Sequence, residues 1–266
     1  MHQPDRLGHY EDWLELEKQY GFRSTFFFLA PEPTNAHVYD MDYLFSDSIT
    51  YDGHTMTVAQ MMREIGAAGW EIGLHGSYLS ALDSKMMANQ KHQIENVVKQ
   101  EVRSVRQHYL QYDVAVTPRL QAEAGLVCDS TQGFNLSMGF RASTSFPYWC
   151  WDHQNGVKVP VLEIPMAIMD GSLFERDALG YNTEDAIRHC LALMSEVADV
   201  GGCLTLNWHP NYLNDARYWR TYSVILAEAA NRNAWGCSAG QLYDWWTSRE
   251  RRLLQLANER TKGCSV

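Results

Sequence analysis

The sequence predicts an α/β fold built around a mainly parallel sheet. Segments with helical spacing of apolar residues alternate with short strands along the 266 residues. Several of those strands are continuous apolar runs, which is typical of strands covered on both faces. This alternation implies right-handed crossovers in a sheet that is either open or closed into a barrel. No linker, internal repeat or low-complexity tract interrupts it, so we expect a single domain over residues 1–266.

The first half of the chain reads as two helix–strand units followed by a long helix. We assign helices to 10–20, 58–68 and 84–110, strands to 24–29 and 70–74, and a loop-rich connection to 30–56.

The second half continues the alternation with shorter elements. We assign helices to 117–125, 182–200, 215–232 and 239–258, and strands to 126–128, 140–142, 161–166, 203–207 and 235–238.

Composition narrows the class of protein. Thirty-two acidic residues against 22 basic ones give a net charge of −10, which argues against nucleic acid or an anionic membrane as the main partner. No apolar run is long enough to span a membrane and the first residues do not resemble a signal peptide, so we expect a cytoplasmic protein. Six cysteines without a CxxC pair indicate reduced thiols. Nine Trp and 14 Tyr include candidates for flat sugar-binding surfaces, although most are expected in the core.

Three polar residues fall at the carboxyl ends of predicted strands, where α/β folds build their sites. His75 follows EIGL and His209 follows LTLNW. A single histidine is more often structural. Two histidines in equivalent positions give the functional and the structural interpretation about equal weight. Asp129 ends a third strand, where it can also serve as the N-cap of the next segment.

Two further charged residues need an explanation. Arg106 falls near the end of the long predicted helix, where it either favours the helix dipole or holds a carboxylate ionised. Glu163 interrupts the apolar run VLEIP at a position that should be buried, so it requires a partner.

Six short motifs in order resemble the polysaccharide deacetylases of the NodB-homology type, carbohydrate esterase family 4, and most closely a bacterial branch of it. The resemblance extends from about residue 10 to 209, and we expect it to continue to 246. It implies a distorted (β/α) barrel of about seven parallel strands and removal of N-acetyl groups from sugars. The motifs are STFFFL at 24–29, GWEIGLHGSY at 69–78, RQHYL at 106–110, DSTQGF at 129–134, GFRAST at 139–144 and NWHP at 207–210.

The resemblance also assigns roles to residues. The family holds a divalent ion, commonly zinc, with one Asp and two His. His75 corresponds to the first metal histidine and His209 to the acid that protonates the leaving amine. Asp129 is similar to the carboxylate that supports this acid, and Arg106 to the arginine that orients the catalytic base.

Four more residues are predicted to form the substrate pocket. By the same resemblance, Leu206 and Trp208 line the site of the acyl methyl. His108 and Arg141 lie within two of the motifs, and we expect both to contact substrate.

The sequence also departs from the family pattern. The second metal histidine is expected four residues after the first, where this chain has Leu79. The family's first strand ends in a pair of aspartates, and we expect this strand to be missing here. Asp5 falls at about the right distance before STFFFL, but only MHQP precedes it. His108, His2 and Asp5 are the candidates to replace the absent ligands.

Three hypotheses follow. The first is a hydrolase of carbohydrate N-acetyl bonds that is metal-assisted in its complete form. The second is a catalytically inactive carbohydrate-binding barrel, and the third is an amidohydrolase acting on a small non-sugar C–N bond, because a fold alone does not fix a substrate.

Overall fold

The computed structural model describes residues 10–32, 37–212 and 215–263, which form an α/β fold with a mostly parallel central sheet, as predicted. The described residues contain ten strands: β1 Thr25–Leu29, β2 Ser48–Tyr51, β3 His54–Thr57, β4 Glu71–Gly76, β5 Ser104–Gln107, β6 Cys128–Asp129, β7 Tyr148–Asp152, β8 Val157–Glu163, β9 Met166–Met169 and β10 Thr205–Asn207. They contain eight α-helices: α1 Tyr10–Gln19, α2 Val58–Ala67, α3 Ser84–Val98, α4 Thr117–Glu123, α5 Asp170–Phe174, α6 Thr183–Val200, α7 Ala216–Asn231 and α8 Ala239–Gly263.

Seven parallel strands form the wall of the distorted barrel. The main sheet has the order β1-β4-β5-β6-β8-β7, in which only β7 is antiparallel, and β9 pairs in parallel with β10 in a second sheet. Among the described strands, β1 pairs only with β4 and β10 only with β9. The barrel is therefore open between β1 and β10, and a cavity of about 970 Å³ lies at this opening.

The long helix predicted over 84–110 is wrong in its second half. Helix α3 ends at Lys99, whose φ of 57° is left-handed, and the chain then enters strand β5. The apolar residues of this region satisfy a helical period and a buried strand equally well, and β-branched residues such as Val102 and Val105 favour the strand. Arg106 consequently lies in the middle of the sheet.

The connection predicted as loop over 30–56 contains the hairpin β2–β3. Asp52 and Gly53 join the two strands with φ values of 50° and 71°. Two successive positive φ angles define the tight turn that an Asp-Gly pair favours between strands. The dipeptide Asp52-Gly53 is the sequence signal from which this hairpin could have been predicted.

Other differences concern short elements. Residues 140–142 form a turn after Gly139, which has a φ of 112°, and residues 235–238 form no strand. Strands β7 and β9 and helix α5 were not predicted. The break between β8 and β9 explains part of this, because the single strand predicted over 161–166 spans the boundary between two real strands.

A buried carboxylate helps to fix helix α1 on the barrel. Glu17 is 1% exposed and accepts hydrogen bonds from the Ser24 amide, Trp70 Nε1 and the Tyr222 hydroxyl at 3.1, 2.6 and 2.8 Å. Tyr222 in turn accepts a hydrogen bond from Trp13 Nε1 at 2.7 Å. The network joins α1, the residues that precede β1 and β4, and α7 around one carboxyl group.

A second carboxylate aligns the strand that carries His75. Glu71 in β4 accepts hydrogen bonds from Thr25 Oγ1 in β1, Ser104 Oγ in β5 and the Gly240 amide in α8. Glu71 is the one charged residue in the otherwise apolar strand segment WEIGL, and it cross-links neighbouring elements.

The composition led us to expect reduced cysteines and no membrane-spanning segment. Cys128, Cys150, Cys190, Cys203 and Cys237 form no disulfide. Within the described ranges, no helix is both long and apolar enough to cross a membrane.

We expect Glu17→Ala to lower the free energy of unfolding by about 2–4 kcal/mol, because it leaves buried donors without an acceptor. Urea unfolding followed by circular dichroism measures this loss. Glu15→Ala, an exposed position on the same helix, is the matched control and should change stability by less than about 0.5 kcal/mol. Equal effects of the two substitutions would contradict the role given to Glu17.

Candidate functional site

Three histidines lie at the carboxyl ends of parallel strands and border the same cavity. His75 is the second-to-last residue of β4, His108 directly follows β5, and His209 follows β10. The rings of His75 and His108 are in contact, with centroids 4.9 Å apart. The structure thus places both strand-end histidines in one site, together with His108, which was predicted to contact substrate or to replace an absent metal ligand.

His209 forms a hydrogen-bonded pair with Asp170. Its Nδ1–H donates to Asp170 Oδ1 at 2.7 Å, and its backbone amide donates to Oδ2 of the same carboxylate at 2.5 Å. Asp170 immediately follows β9, and Asn207 of β10 lies opposite Met169 in the parallel register. Strand pairing therefore brings the two residues together, and because a carboxylate only accepts, the Nε2 atom of His209 remains available.

The prediction that Asp129 supports His209 is wrong. Asp129 ends β6, in the other sheet, and its oxygens accept hydrogen bonds from Thr131 Oγ1 at 2.5 Å and Gln121 Nε2 at 3.0 Å. The sequence did contain the right residue, in the string MAIMD, where Asp170 follows an apolar run. It was missed because strand β9 was not predicted.

Asp129 instead pairs with Glu163, which lies opposite it in the register of β6 and β8. The two carboxyl groups are 1% and 0% exposed. Burial raises the pKa of Asp129 to about 6, and burial together with the neighbouring Asp129 raises the pKa of Glu163 well above its ordinary value. Two adjacent buried carboxyls cannot both ionise cheaply, so Glu163 holds a proton that stabilises the pair. The partner that Glu163 required is this carboxyl.

Opposing influences set the pKa of His209. Burial lowers this pKa. The attraction to Asp170 and the hydrogen bond with it together raise the pKa by more than burial lowers it, so the pKa of His209 is above the ordinary value of 6.5. The His209 side chain is 37% exposed, while Asp170 is fully buried. Because the raised pKa retains the imidazolium form to higher pH, His209 is suited to donate a proton near neutrality.

His75 and His108 differ from His209 in charge. His75 Nδ1–H donates to the Arg106 carbonyl at 2.7 Å, and His108 Nδ1–H donates to Asp40 at 2.8 Å. Burial lowers the pKa of His75 well below 6.5, and His108 lowers it further. Burial also lowers the pKa of His108, outweighing the effect of Asp40. Both rings are therefore neutral at pH 7, and each has an unprotonated Nε2.

Arg106 crosses the interior of the barrel beneath these histidines. Its guanidinium donates to the Ser130 carbonyl, the Ser130 hydroxyl and Asn207 Oδ1 at 2.9, 3.0 and 2.9 Å, and it packs 4.8 Å from the Phe27 ring centroid. Burial lowers its pKa to about 10, so it stays charged at pH 7. No carboxylate of the described residues forms a salt bridge with it, so its predicted role of orienting a base remains a prediction.

The predicted pocket residues have different surroundings. Leu206 and Trp208 line the cavity, and Trp208 Nε1 is buried without a hydrogen-bond partner in the described part of the chain. Arg141 is exposed in the turn after Gly139 and does not line the cavity. Its predicted substrate contact is therefore not supported by the position of the turn.

The described residues do not supply the complete metal-ligand set that the resemblance implies. Leu79 is 45% exposed in the turn before the 3₁₀ helix Ser80–Leu82, and His2 and Asp5 lie outside the described residues. Within 10–32, 37–212 and 215–263, no group of three or more His, Cys, Asp or Glu side chains is placed to hold a metal ion. The chemistry present is that of two neutral imidazoles, His75 and His108.

An aromatic rim borders His108. Tyr39 and Tyr109 are stacked with ring centroids 4.6 Å apart, and Tyr78 contacts both at 5.3 and 6.1 Å. Tyr39 and Tyr109 are 48% and 49% exposed. The ring of His108 contacts Tyr109 at 4.9 Å, so the exposed rim is continuous with the histidine cluster.

The fold is that of the polysaccharide deacetylases. A putative polysaccharide deacetylase from Mycobacterium smegmatis has a TM-score of 0.65 at 18% identity, over 92% of this chain and 79% of that chain. A probable polysaccharide deacetylase from Pseudomonas aeruginosa PAO1 has a TM-score of 0.59 at 16% identity, over 91% of this chain and 73% of that chain.

A third structure, the peptidoglycan deacetylase PdaC from Bacillus subtilis, has a TM-score of 0.52 at 14% identity, over 97% of this chain and 92% of that chain. Comparison with family models and with curated proteins gives no match. At these identities the structural likeness establishes the fold, which confirms the barrel predicted from the motifs.

The effect of Asp170 on the pKa of His209 is measurable. We expect NMR titration to give His209 a pKa above 6.5, because Asp170 stabilises its protonated form, and Asp170→Asn to lower that pKa. Asp199→Asn, at an exposed position on helix α6, is the control and should leave the pKa of His209 unchanged. A His209 pKa that is insensitive to Asp170→Asn would contradict the assigned pair.

Proposed function

We propose that this protein hydrolyses the N-acyl amide bond of an amino sugar within a carbohydrate, as a deacetylase. The observation that carries the proposal is the His209–Asp170 pair, which opens into the cavity beside His75 and Arg106. Structures of the same fold carry the names of deacetylases, which supports the same reaction class. Amide hydrolysis requires an acid that can reach the leaving nitrogen, and His209 is the candidate for it.

When water adds to the amide carbonyl and the C–N bond breaks, His209 supplies the proton that the leaving nitrogen takes up. An amide nitrogen is a poor leaving group until it is protonated, and a positioned acid typically accelerates such a step by about 10²–10⁴-fold. Asp170 occupies Nδ1, so the proton is transferred from Nε2. The same carboxylate fixes the orientation of the ring and stabilises its charged form.

Arg106 and the apolar wall complete the arrangement from this chain's own residues. The Arg106 cation lies at the cavity in a buried environment, where it stabilises negative charge more strongly than in water. Leu206 and Trp208 offer an apolar surface of the kind that an acyl methyl group would contact. These roles distinguish the residues of the cavity from Asp129 and Glu163, which lie opposite each other in the barrel wall and do not line the cavity.

The aromatic rim is suited to hold the sugar. Tyr39 and Tyr109 expose about half of their surface next to His108, and flat aromatic faces pack against the apolar faces of sugar rings. Pairs of aromatic rings contribute on the order of 0.5–1.5 kcal/mol beyond their buried area, and we take the packing of a sugar on a tyrosine ring to be of similar size. The rim therefore favours a carbohydrate over a small non-sugar amide.

Release of acetate from N-acetylglucosamine oligomers and peptidoglycan fragments tests the proposal. We expect His209→Gln to lower kcat by at least about 10²-fold while the melting temperature stays nearly unchanged. His153→Gln, an exposed histidine in the turn between β7 and β8, is the control and should retain activity. Binding of the oligomers without acetate release would identify a carbohydrate-binding protein instead, and hydrolysis confined to small amides would identify the third class.

We expect Tyr109→Ala to raise KM for oligomers by about 2- to 10-fold, the equivalent of one lost aromatic contact, with a smaller change in kcat. Steady-state kinetics on oligomers of different lengths measure it. Tyr181→Ala, which removes a half-buried tyrosine stacked on His189, is the control. A fall in kcat without a change in KM would exclude the proposed binding role of Tyr109.

A further inference from the structure

We propose that the cavity between β1 and β10 binds a long unbranched acyl chain, so that the amide bond this protein hydrolyses joins an amino sugar to a fatty acyl group. The proposal names a substrate class for the site of His209 and rests on the proposed amide hydrolysis. Its evidence is the volume of the cavity, the chemistry of its walls and the direction in which it runs.

The cavity is far larger than an acetyl group requires. Its volume is about 970 Å³, and pockets of about 300–1,000 Å³ enclose most of the surface of a drug-sized ligand. The methyl of an acetyl group would contact Leu206 and Trp208 and leave the rest of the cavity empty. A ligand that fills the cavity therefore has a much larger group on the acyl side of its amide.

Much of the cavity wall is apolar. Strand β1 contributes two phenylalanines, and helices α6 and α7 contribute aliphatic side chains. Each of these residues is at most 7% exposed, yet each borders the cavity: Phe26, Phe28, Met194, Val197, Ile225 and Leu226. Cavities with such walls hold water poorly and bind apolar molecules. The walls therefore favour a hydrocarbon chain over the sugar itself.

The cavity extends along the whole of β1. Every residue of Thr25–Leu29 borders it. Five residues of a strand span about 17 Å, and one lipid acyl chain spans about half of the 30 Å hydrocarbon core of a bilayer. A fatty acyl chain that lies along β1 therefore matches the cavity in length as well as in chemistry.

The group that donates the proton lies at one end of this path. His209 follows the carboxyl end of β10, whereas Val197 and Cys203 border the cavity on the side where β10 begins. A substrate with its amide at His209 thus extends its acyl chain towards Cys203 and Val197. Its sugar stays on the side of His108 and the aromatic rim.

Hydrogen bonds along β1 disfavour a peptide strand as the occupant. The Ser24 carbonyl accepts a hydrogen bond from the first residue of β4, so the backbone groups of its odd-numbered neighbours face the opening. At one end of this row the Arg23 amide donates to the Gly236 carbonyl at 3.2 Å. At the other end the Leu29 carbonyl accepts from the Tyr43 hydroxyl at 2.6 Å. An added strand would compete with both bonds, whereas a hydrocarbon chain leaves them intact.

The reaction is amide hydrolysis with a longer acyl group. The oxygen of water adds to the acyl carbon, the C–N bond breaks, and the leaving nitrogen takes up a proton from His209. His209 regains the proton that the water releases. The products are a free amino sugar and a long-chain carboxylic acid.

Hydrolysis of N-acetyl-, N-hexanoyl- and N-dodecanoylglucosamine, each below the concentration at which micelles form, tests the proposal. We expect kcat/KM to rise with chain length, by at least about 100-fold from acetyl to dodecanoyl, because each buried methylene strengthens binding by up to about fourfold. Equal kcat/KM for the three substrates, or the highest value for the acetyl compound, overturns the proposal.

Val197→Phe enlarges a side chain of the cavity wall on the side away from His209. We expect it to lower the ratio of kcat/KM for the dodecanoyl substrate to that for the acetyl substrate by at least about tenfold, which is the loss of two buried methylenes. Val200→Phe makes the same change at an exposed position of α6 that does not border the cavity and should leave the ratio unchanged. Ala229→Leu, with Ala227→Leu as its control on α7, repeats the test if Val197→Phe does not fold. An equal ratio in the variant and its control overturns the proposal.

Calorimetric titration with dodecanoic acid separates this proposal from the proposed function. Binding that Val197→Phe weakens, without hydrolysis of any N-acylglucosamine, would support the acyl cavity and overturn the hydrolysis alone. Acetate release without binding of dodecanoic acid would overturn the acyl cavity alone. Tighter binding of a capped pentavaline peptide than of dodecanoic acid would assign the cavity to a peptide strand and overturn the proposal.

Discussion

The guanidinium of Arg106 joins parts of the barrel that backbone pairing leaves separate. It lies on β5, reaches the end of β6 through Ser130 and β10 through Asn207, and packs on Phe27 of β1. Its own carbonyl accepts the hydrogen bond from His75. Because β1 and β10 have no strand between them among the described residues, this buried cation connects the two sides of the opening. The backbone carbonyl of Arg106 holds His75, and its guanidinium holds Asn207, two residues before His209.

The barrel separates two kinds of carboxyl group by the strands that carry them. Asp129 and Glu163 face each other inside the main sheet, where burial keeps one of them protonated and neither forms a hydrogen bond with a histidine of the described residues. Asp170 follows β9 and meets His209 because β9 pairs with β10. The first pair holds the wall together, and the second prepares an acid. Residues of the same type thus have different chemistry because of their neighbours.

The histidines of the site show a similar division. His209 is paired with a carboxylate and gains a proton more readily, while His75 and His108 lie against each other and remain neutral. One proton donor, His209, and two neutral imidazoles, His75 and His108, therefore lie around one cavity. The aromatic rim of Tyr39, Tyr78 and Tyr109 extends this site to the surface.

The sequence by itself determined the alternating α/β order, most helix bounds and the strand-end positions of His75 and His209. These depend on local periodicity, caps such as Asn182 and breaks such as Gly201, which neighbours in the chain establish. Tertiary structure alone decided that Asp170 rather than Asp129 meets His209, and that His108 contacts His75. Each of these depends on which strands become neighbours in the sheet. That choice is made by packing between residues distant in the chain, and no local pattern contains it.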